Sequence, residues 1–199
     1  MGVLVEEAFR KAMKSFVEQD TELAARVVAE DERVNAMEIE IEDRCITLIA
    51  TEAPVARDLR RIITGLKAVG QLERIGDHAR HVARSTIKLA GQTYIKPLVD
   101  LPRMAETTVQ MVAEVLNAFV HNDADKATQV AARDEEVDRL NDQVTRELFS
   151  YMIEDPGNIT QAIELLFVSR FLERSADHVT NIAEWIVYGC TGEHSELNV

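Results

Sequence analysis

Two similar stretches, LERIGDH at residues 72–78 and LERSADH at residues 172–178, decide how this chain is organised. They begin 100 positions apart in a chain of 199 residues. Each places a glutamate and an aspartate four positions apart, and on a helix this spacing brings both carboxylates to one face. The repeat therefore indicates that the chain consists of two related halves.

A second repeat supports this division. Apolar and aspartate positions between residues 16 and 41 recur between residues 119 and 144, at an offset of 103 rather than 100. The three-residue difference falls in the turn between the second and third helices of each half, where chain length can change at little cost. Two such units either pack together as one domain or stand side by side across a linker, and the sequence leaves both arrangements open.

Helical periodicity and a few turn residues predict an all-α fold of six helices, in two tandem pseudo-symmetric three-helix bundles. Pro54 should occupy the first turn of the third helix, where its missing amide hydrogen is not needed. We expect the domains to be residues 1–93, a linker at 94–102, and residues 103–199. The predicted helices span about 3–18, 20–51, 54–90, 103–121, 123–153 and 158–189.

Composition limits the classes of partner. The formal net charge of −13 argues against nucleic acid and favours basic proteins or cations. No apolar run approaches the ~20 residues that span a bilayer, so direct membrane insertion is not expected. Cys45 and Cys190 lack any CxxC spacing and are interpreted as reduced and buried thiols in the cytosol. Trp185, Phe167 and Phe171 are interpreted as core residues.

Carboxylates interrupt the apolar stripes that should form the core. On the second helix the acids stand among valine and isoleucine, and the fifth helix repeats the pattern with Asn141 in place of one acid. Buried acids need compensation, and a hard divalent or ferric ion provides it by taking several oxygen ligands. We therefore predict sites for iron, zinc, manganese or magnesium. The candidate ligands are Asp31, Asn35, Glu38, Glu73, Asp77, Asp134, Asp138, Glu173 and Asp177.

Arginine is the rival compensator. Arg80, Arg170 and Arg174 each lie three residues from an acid of the repeated motif, so salt bridges could produce a structural adaptor without metal. His78 and His178 follow the aspartates by one residue and should face another surface, while the nearby His81 is a candidate additional ligand.

A third hypothesis is an enzyme. A carboxylate-bridged di-iron oxidase needs Glu-x-x-His on two helices, and neither half contains that motif. No activated nucleophile or phosphate-binding glycine loop is present in the sequence. A binding and signalling module is therefore expected.

Four groups of motifs follow one another along nearly the whole chain: DxxVNxxExxI at 31–41, PVAxDLR at 54–60, LERIGD at 72–77, and LERxADH with NIAE between 172 and 184. In these motifs the chain resembles the PhoU family of bacterial phosphate-transport regulators. This resemblance implies two three-helix bundles with pseudo-twofold symmetry, and acidic clusters that hold multinuclear iron or zinc in some members.

The resemblance also implies a function. Members of this family shut down phosphate uptake and the phosphate-starvation response when phosphate is plentiful. The implied partners are the sensor histidine kinase of that response and the ATPase subunit of the phosphate ABC transporter. We expect a cytoplasmic homodimer that is peripheral to the inner membrane through its partners.

Two departures from the family pattern matter. Family members usually carry a further stretch before the position of Met1, so the first helix is expected to be truncated. Asn141 stands where the first half has Glu38, so the second cluster is expected to be weaker by one charge.

Overall fold

The computed structural model describes residues 1–197, and their regular structure is helical. A short 3-10 turn, Pro156–Asn158, leads into the last helix. The α-helices are α1 Gly2–Glu18, α2 Thr21–Glu30, α3 Glu32–Glu52, α4 Ala56–Lys88, α5 Asp100–His121, α6 Ala124–Ala131, α7 Asp134–Glu154 and α8 Ile159–Thr191.

The predicted second and fifth helices are each interrupted once. α2 and α3 meet at Asp31, and α6 and α7 meet at Ala132 and Arg133. At the first break the amide of Val34 donates to the carbonyl oxygen of Asp31 at 2.8 Å, which is the tighter 3-10 pattern. With each interrupted pair counted as one helix, the six-helix, all-α prediction is confirmed. The prediction of unbroken helices is wrong. No glycine or proline marks either break, so the breaks could not be predicted from these residue types.

The two halves pack together around α4 and α8. These long helices lie against each other, α1 packs against α4 and α5, and α5 packs against α8. The pair α2–α3 flanks α4, and the pair α6–α7 flanks α8. Buried residues of both halves form a single apolar cluster, so the side-by-side alternative is excluded.

The segment between α4 and α5 is fixed against both halves. The hydroxyl of Tyr94 donates to the carbonyl oxygen of Phe16 in the first half. In the second half, the backbone amide of Ile95 donates to Oε1 of Gln161 at 2.6 Å. The last three residues of the expected linker, 94–102, already belong to α5. The domain bounds 1–93 and 103–199 stay a prediction.

Two histidines occupy the interface between α4 and α8. The rings of His78 and His178 lie 5.3 Å apart between centroids. Nδ1 of His78 lies 3.0 Å from Oγ of Ser175, and Nδ1 of His178 lies 2.8 Å from Oε1 of Gln71. Burial, more than the nearby positive charges, lowers the pKa of His78 to about 3 and that of His178 to about 4. Each ring therefore contacts the opposite half, and the lowered pKa values favour its neutral form.

Both cysteines are free thiols, but Cys45 and Cys190 are half-buried rather than buried as predicted.

Two further predictions are wrong. Pro54 lies before α4, because Ala53 adopts a left-handed conformation that ends α3 and Val55 is the extended residue that caps α4. Phe167 is 52% exposed, on the same outer face of α8 as the exposed Ile163, while Phe171 and Trp185 are half-buried. Within residues 1–197, no helix has the length and apolar character needed to cross a membrane.

Candidate metal centres

The first cluster lies where α3 crosses α4. It comprises four acids and one amide, namely Asp31, Glu38, Glu73 and Asp77 with Asn35. Glycine on α4 permits the close approach: a Cβ on Gly76 would lie 3.2 Å from Cγ1 of Val34, and one on Gly70 would lie 3.7 Å from Oε1 of Glu38. The apolar stripe of α3 thus carries its acids directly onto α4.

The acids of the first cluster perturb one another. Burial raises the pKa of Glu73, and the charges of Asp77, Glu38 and Asp31 raise it further. Burial also raises the pKa of Asp31 and of Glu38. The four carboxyl groups therefore share one electrostatic environment.

An arginine supplies part of the compensation in this cluster. Nη1 of Arg80 lies 2.6 Å from Oδ2 of Asp31, and its Nη2 lies 2.8 Å from Oδ1 of Asp77. Such charge-assisted pairs satisfy carboxylate oxygens that would otherwise be costly to bury. Oδ1 of Asn35 is buried and has no hydrogen-bond partner among the described residues. The first cluster is thus bridged by an internal cation, with one amide oxygen left over.

The second cluster lies between α7 and α8 and comprises Asp134, Asp138, Glu173 and Asp177. The three aspartates each offer a carboxylate oxygen, and these oxygens lie within 4.8 Å of one another. Burial raises the pKa of Asp177, and the charge of Asp138 raises it further. Oxygen ligands at 2.0–2.6 Å from one ion are separated by about this distance across the ion. The geometry fits a single hard cation.

Glu173 is a buried acid with a strongly raised pKa. The residue is only 8% exposed, and burial together with the charges of Asp177 and Asp138 raises its pKa to about 7, against the opposing charge of Arg170. Arg170 pairs with Oε1 of Glu173. The other carboxylate oxygen of Glu173, Oε2, is buried and has no hydrogen-bond partner in residues 1–197. This oxygen is a fourth potential ligand beside the three aspartates.

The halves differ at one position that the sequence reasoning missed. Thr180 occupies the place equivalent to Arg80, so the second cluster has no matching guanidinium. Oγ1 of Thr180 is buried, again with no hydrogen-bond partner in the part of the chain described. Extending the aligned motifs by two residues, to LERIGDHAR and LERSADHVT, would have revealed this difference.

The remaining candidates behave differently. Oδ1 of Asn141 accepts a hydrogen bond from Oγ of Ser169 at 2.8 Å, so the amide that replaces Glu38 is engaged by α8. His81 stacks on Phe171 with 4.7 Å between ring centroids. That Asn141 makes the second cluster bind metal more weakly stays a prediction. The replacement of Arg80 by Thr180 should have the opposite effect, because it removes a competing positive charge.

Comparisons with known proteins give one consistent result. The PhoU domain matches residues 1–86 and again residues 101–186. A protein of Zymomonas mobilis named phosphate-specific transport system accessory protein PhoU homolog is 40% identical, over 97% of this chain and 81% of that protein. The Escherichia coli K12 protein named phosphate-specific transport system accessory protein PhoU is 36% identical, over 97% of this chain and 80% of its own length.

Solved structures agree with these sequence relatives. The crystal structure of PhoU from Pseudomonas aeruginosa superposes with a TM-score of 0.92 at 39% identity, covering 97% of this chain and 93% of that one. The phosphate transport system regulatory protein PhoU from Streptococcus pneumoniae gives a TM-score of 0.91 at 31% identity, covering 98% and 91% of the two chains. The likeness therefore extends over both halves and their relative placement.

Proposed function

The chain belongs to the PhoU family, and we propose that it is a negative regulator of phosphate uptake and of the phosphate-starvation response. It acts as a metal-binding adaptor between a sensor histidine kinase and the ATPase subunit of a phosphate ABC transporter. The observation that supports the transport role is that relatives 36–40% identical to this chain are named accessory proteins of the phosphate-specific transport system. We further propose a homodimer that is cytoplasmic and reaches the membrane through its partners.

The metal part of the proposal rests on the second cluster. Asp134, Asp138 and Asp177 would hold the ion, and Glu173 would contribute its buried Oε2. A bound cation would neutralise these acids and join α7 to α8. A set made only of oxygen donors favours magnesium, manganese or iron over zinc, which more often takes nitrogen and sulfur.

The first cluster is proposed as the weaker metal site. Arg80 already engages Asp31 and Asp77, so an incoming ion would depend on Glu38, Glu73 and the amide oxygen of Asn35. The role of each cluster is to fix the crossing of two helices, and this does not require turnover of a substrate. We accordingly propose that the chain is not an enzyme.

Elemental analysis of the full chain, purified without chelator and then reconstituted with manganese or magnesium, tests the metal assignment. The paired substitution Glu173→Gln with Asp177→Asn should remove the more tightly held ion. The matched substitution Glu73→Gln with Asp77→Asn should leave that ion in place. Equal stoichiometry in both variants and in the parent protein would reject the assignment.

The regulatory role needs a separate experiment in cells. Deletion of the gene should raise expression of phosphate-starvation genes in phosphate-rich medium, and the intact gene should restore repression. Unchanged expression after deletion would reject the role. Co-purification with the kinase and with the transporter ATPase, each tested alone, would distinguish an adaptor from a protein that binds only one of them.

A structural adaptor with arginine-neutralised acids is the alternative that one observation favours. Arg80 bridges two acids of the first cluster in the way this alternative requires. If no metal is retained by either cluster after reconstitution, this alternative holds for the whole protein, and the regulatory role is unaffected.

A further inference from the structure

A strip of polar and aromatic side chains runs along the contact between α4 and α8. It consists of positions 67, 71, 74, 78 and 81 of α4 and of the positions 100 residues later on α8, namely 167, 171, 174, 178 and 181. Steps of four and three residues place these side chains on one face of each helix. We call this strip the α4–α8 seam.

Contacts between the two helices make the seam continuous. At one end, Nζ of Lys67 lies 5.3 Å from the ring centroid of Trp185, which follows position 181 by about one turn. Toward the other end, the rings of His78 and Phe171 lie 5.5 Å apart between centroids, and His81 stacks on the same phenylalanine. The seam is therefore one surface rather than two separate helix faces.

The seam is positively charged, although the protein is acidic. Its positions include Lys67, Arg74 and Arg174 and no glutamate or aspartate, whereas the whole chain has a formal net charge of −13. All three cations are exposed, and no ion pair joins any of them to a carboxylate among residues 1–197. Burial, and after it the charges of Arg74 and Arg174, lowers the pKa of His178, so both guanidinium groups lie near the histidine pair.

The internal repeat preserves these arginines. Arg74 and Arg174 are the third residues of LERIGDH and LERSADH. An exposed arginine without an ion pair adds little to the stability of a fold. Arg80, which does pair with two acids, has no counterpart in the second half, where Thr180 takes its place. The repeat thus keeps the arginines that lack an internal partner, and this indicates a partner outside the chain.

The acids beside the seam limit the class of that partner. The first acidic cluster borders the seam along α4 and the second borders it along α8. The positive strip is therefore no wider than two packed helices, whose axes lie about 8–10 Å apart. A membrane surface or a nucleic-acid duplex is wider and would bring its phosphates against both acidic clusters. A single polypeptide segment fits within the strip, and its carboxylates would meet the three cations.

Aromatic side chains add apolar contact surface at both ends. Phe167 is 52% exposed at one end of the seam, and Trp185 is half-buried at the other. The chain's own residues 193–196, Glu-His-Ser-Glu, lie at the second end. There the ring of His194 lies 5.7 Å from that of Trp185 between centroids and stacks on Tyr188. This end of the seam therefore accommodates an acidic segment.

We propose that the α4–α8 seam binds an acidic segment of a partner protein. Carboxylates of the segment would pair with Arg74, Arg174 and Lys67, and an apolar side chain beside them would contact Phe167. Exposed charge pairs contribute more to the rate and specificity of association than to affinity, so binding should be weak and should weaken further with salt. The proposal holds whether or not the acidic clusters bind metal, and it does not depend on the identity of the kinase or transporter.

The fluorescence of Trp185 reports binding, because this residue is the single tryptophan of the chain and contacts Lys67. The probe is the peptide EEFEELEEFEEL, which lacks tryptophan, added to the full chain in chelator so that no metal links the two. A saturable change of the Trp185 emission is expected, and apparent affinity should fall as salt is raised. The uncharged peptide QQFQQLQQFQQL should give no saturable change.

Matched double substitutions make the test specific. Arg74→Gln with Arg174→Gln should weaken binding about tenfold or more, since two exposed charge pairs are lost together. Arg74→Lys with Arg174→Lys keeps both charges and should retain most of the binding. The control is Arg26→Gln with Arg146→Gln, which removes two exposed arginines of α2 and α7 that form no ion pair among the residues described. It changes the net charge by the same amount and should leave binding unchanged.

Three results would overturn the proposal. The first is the absence of a saturable change of Trp185 emission up to millimolar peptide. The second is equal weakening in the Arg74→Gln, Arg174→Gln variant and in the control, which would mean that the peptide responds only to net charge. The third is sedimentation of the chain with vesicles of phosphatidylglycerol and phosphatidylcholine that requires Arg74 and Arg174, without peptide binding, which would assign the seam to a membrane surface.

Discussion

Replacing Glu173 by glutamine should stabilise the metal-free protein at alkaline pH, although it removes a salt bridge. The folded chain holds this carboxyl at a pKa of about 7, against an ordinary value of 4.5. Because the folded pKa is raised, folding favours the protonated form, and stability falls as pH rises from 4.5 through 7. A shift of this size corresponds to a ceiling of about 3 kcal/mol at pH 8, since one pKa unit is worth about 1.4 kcal/mol. Lost pairing with Arg170 reduces the expected gain to between about 1 and 3 kcal/mol.

The assay is urea unfolding of parent and variant in chelator at pH 5 and pH 8. The gain should appear at pH 8 and nearly vanish at pH 5, where the parent carboxyl is already protonated. Glu147→Gln is the matched control: hydrogen bonds from Lys96 and Gln143 lower the pKa of Glu147, so this variant should lose stability at pH 8. Destabilisation by Glu173→Gln at pH 8 in chelator would refute the reasoning. Added manganese should stabilise the parent more than the variant, which keeps the three aspartates but loses one carboxylate.

The histidine interface should make the protein acid-sensitive. Burial lowers the pKa of His78 to about 3 and that of His178 to about 4, so the free energy of unfolding should be highest above about pH 6.5 and fall toward pH 4. In urea titrations His178→Asn should make this fall less steep. An equally steep fall in that variant would contradict the prediction. Gly76→Val should lower the free energy of unfolding by about 1–3 kcal/mol in the same assay, because its Cβ would lie 3.2 Å from the side chain of Val34. Gly65→Ala should raise it by up to about 1 kcal/mol, because its Cβ has ordinary contacts in a helix. Equal effects of the two variants would show that α3 can shift to accommodate the larger side chain. Thr180→Arg should supply the cation that the first cluster already has and lower the metal content of the second cluster in elemental analysis; unchanged content would mean that the guanidinium does not reach the acids.

Much of the fold could be predicted because the sequence contains an internal repeat. Repeated apolar periodicity and the two copies of the Glu-x-x-x-Asp motif were sufficient for the number of helices and their order in each half. The breaks at Asp31 and near Arg133 were not readable, since a 3-10 turn needs no glycine or proline. The packing of α4 on α8 was also left open, because an apolar face does not identify the face that covers it.

The candidate sites were readable to a similar depth. Acids on an apolar stripe predicted which side chains would be brought together, and the aspartates of the second cluster do converge. The same reasoning did not distinguish a cluster bridged by arginine from one without it, because a long side chain three residues from an acid can pair with it or extend into water. Arg80 pairs across to Asp31 on the facing helix junction, a contact that only the three-dimensional crossing creates.

One substitution within a duplicated motif separates the behaviour of the halves. In the first half the compensating charge of Arg80 is covalently attached and cannot dissociate. In the second half Thr180 stands in the place of Arg80, and Arg170 pairs with Glu173 instead. Burial raises the pKa of Glu173 to about 7, so this carboxyl is partly protonated at neutral pH in the absence of metal. If Glu173 is a ligand, metal binding would release the proton it carries, so affinity should rise with pH across neutrality. If the second cluster binds metal as proposed, the crossing of α7 and α8 is therefore the one that responds to ion availability, while Arg80 bridges the acids of the first cluster without an ion.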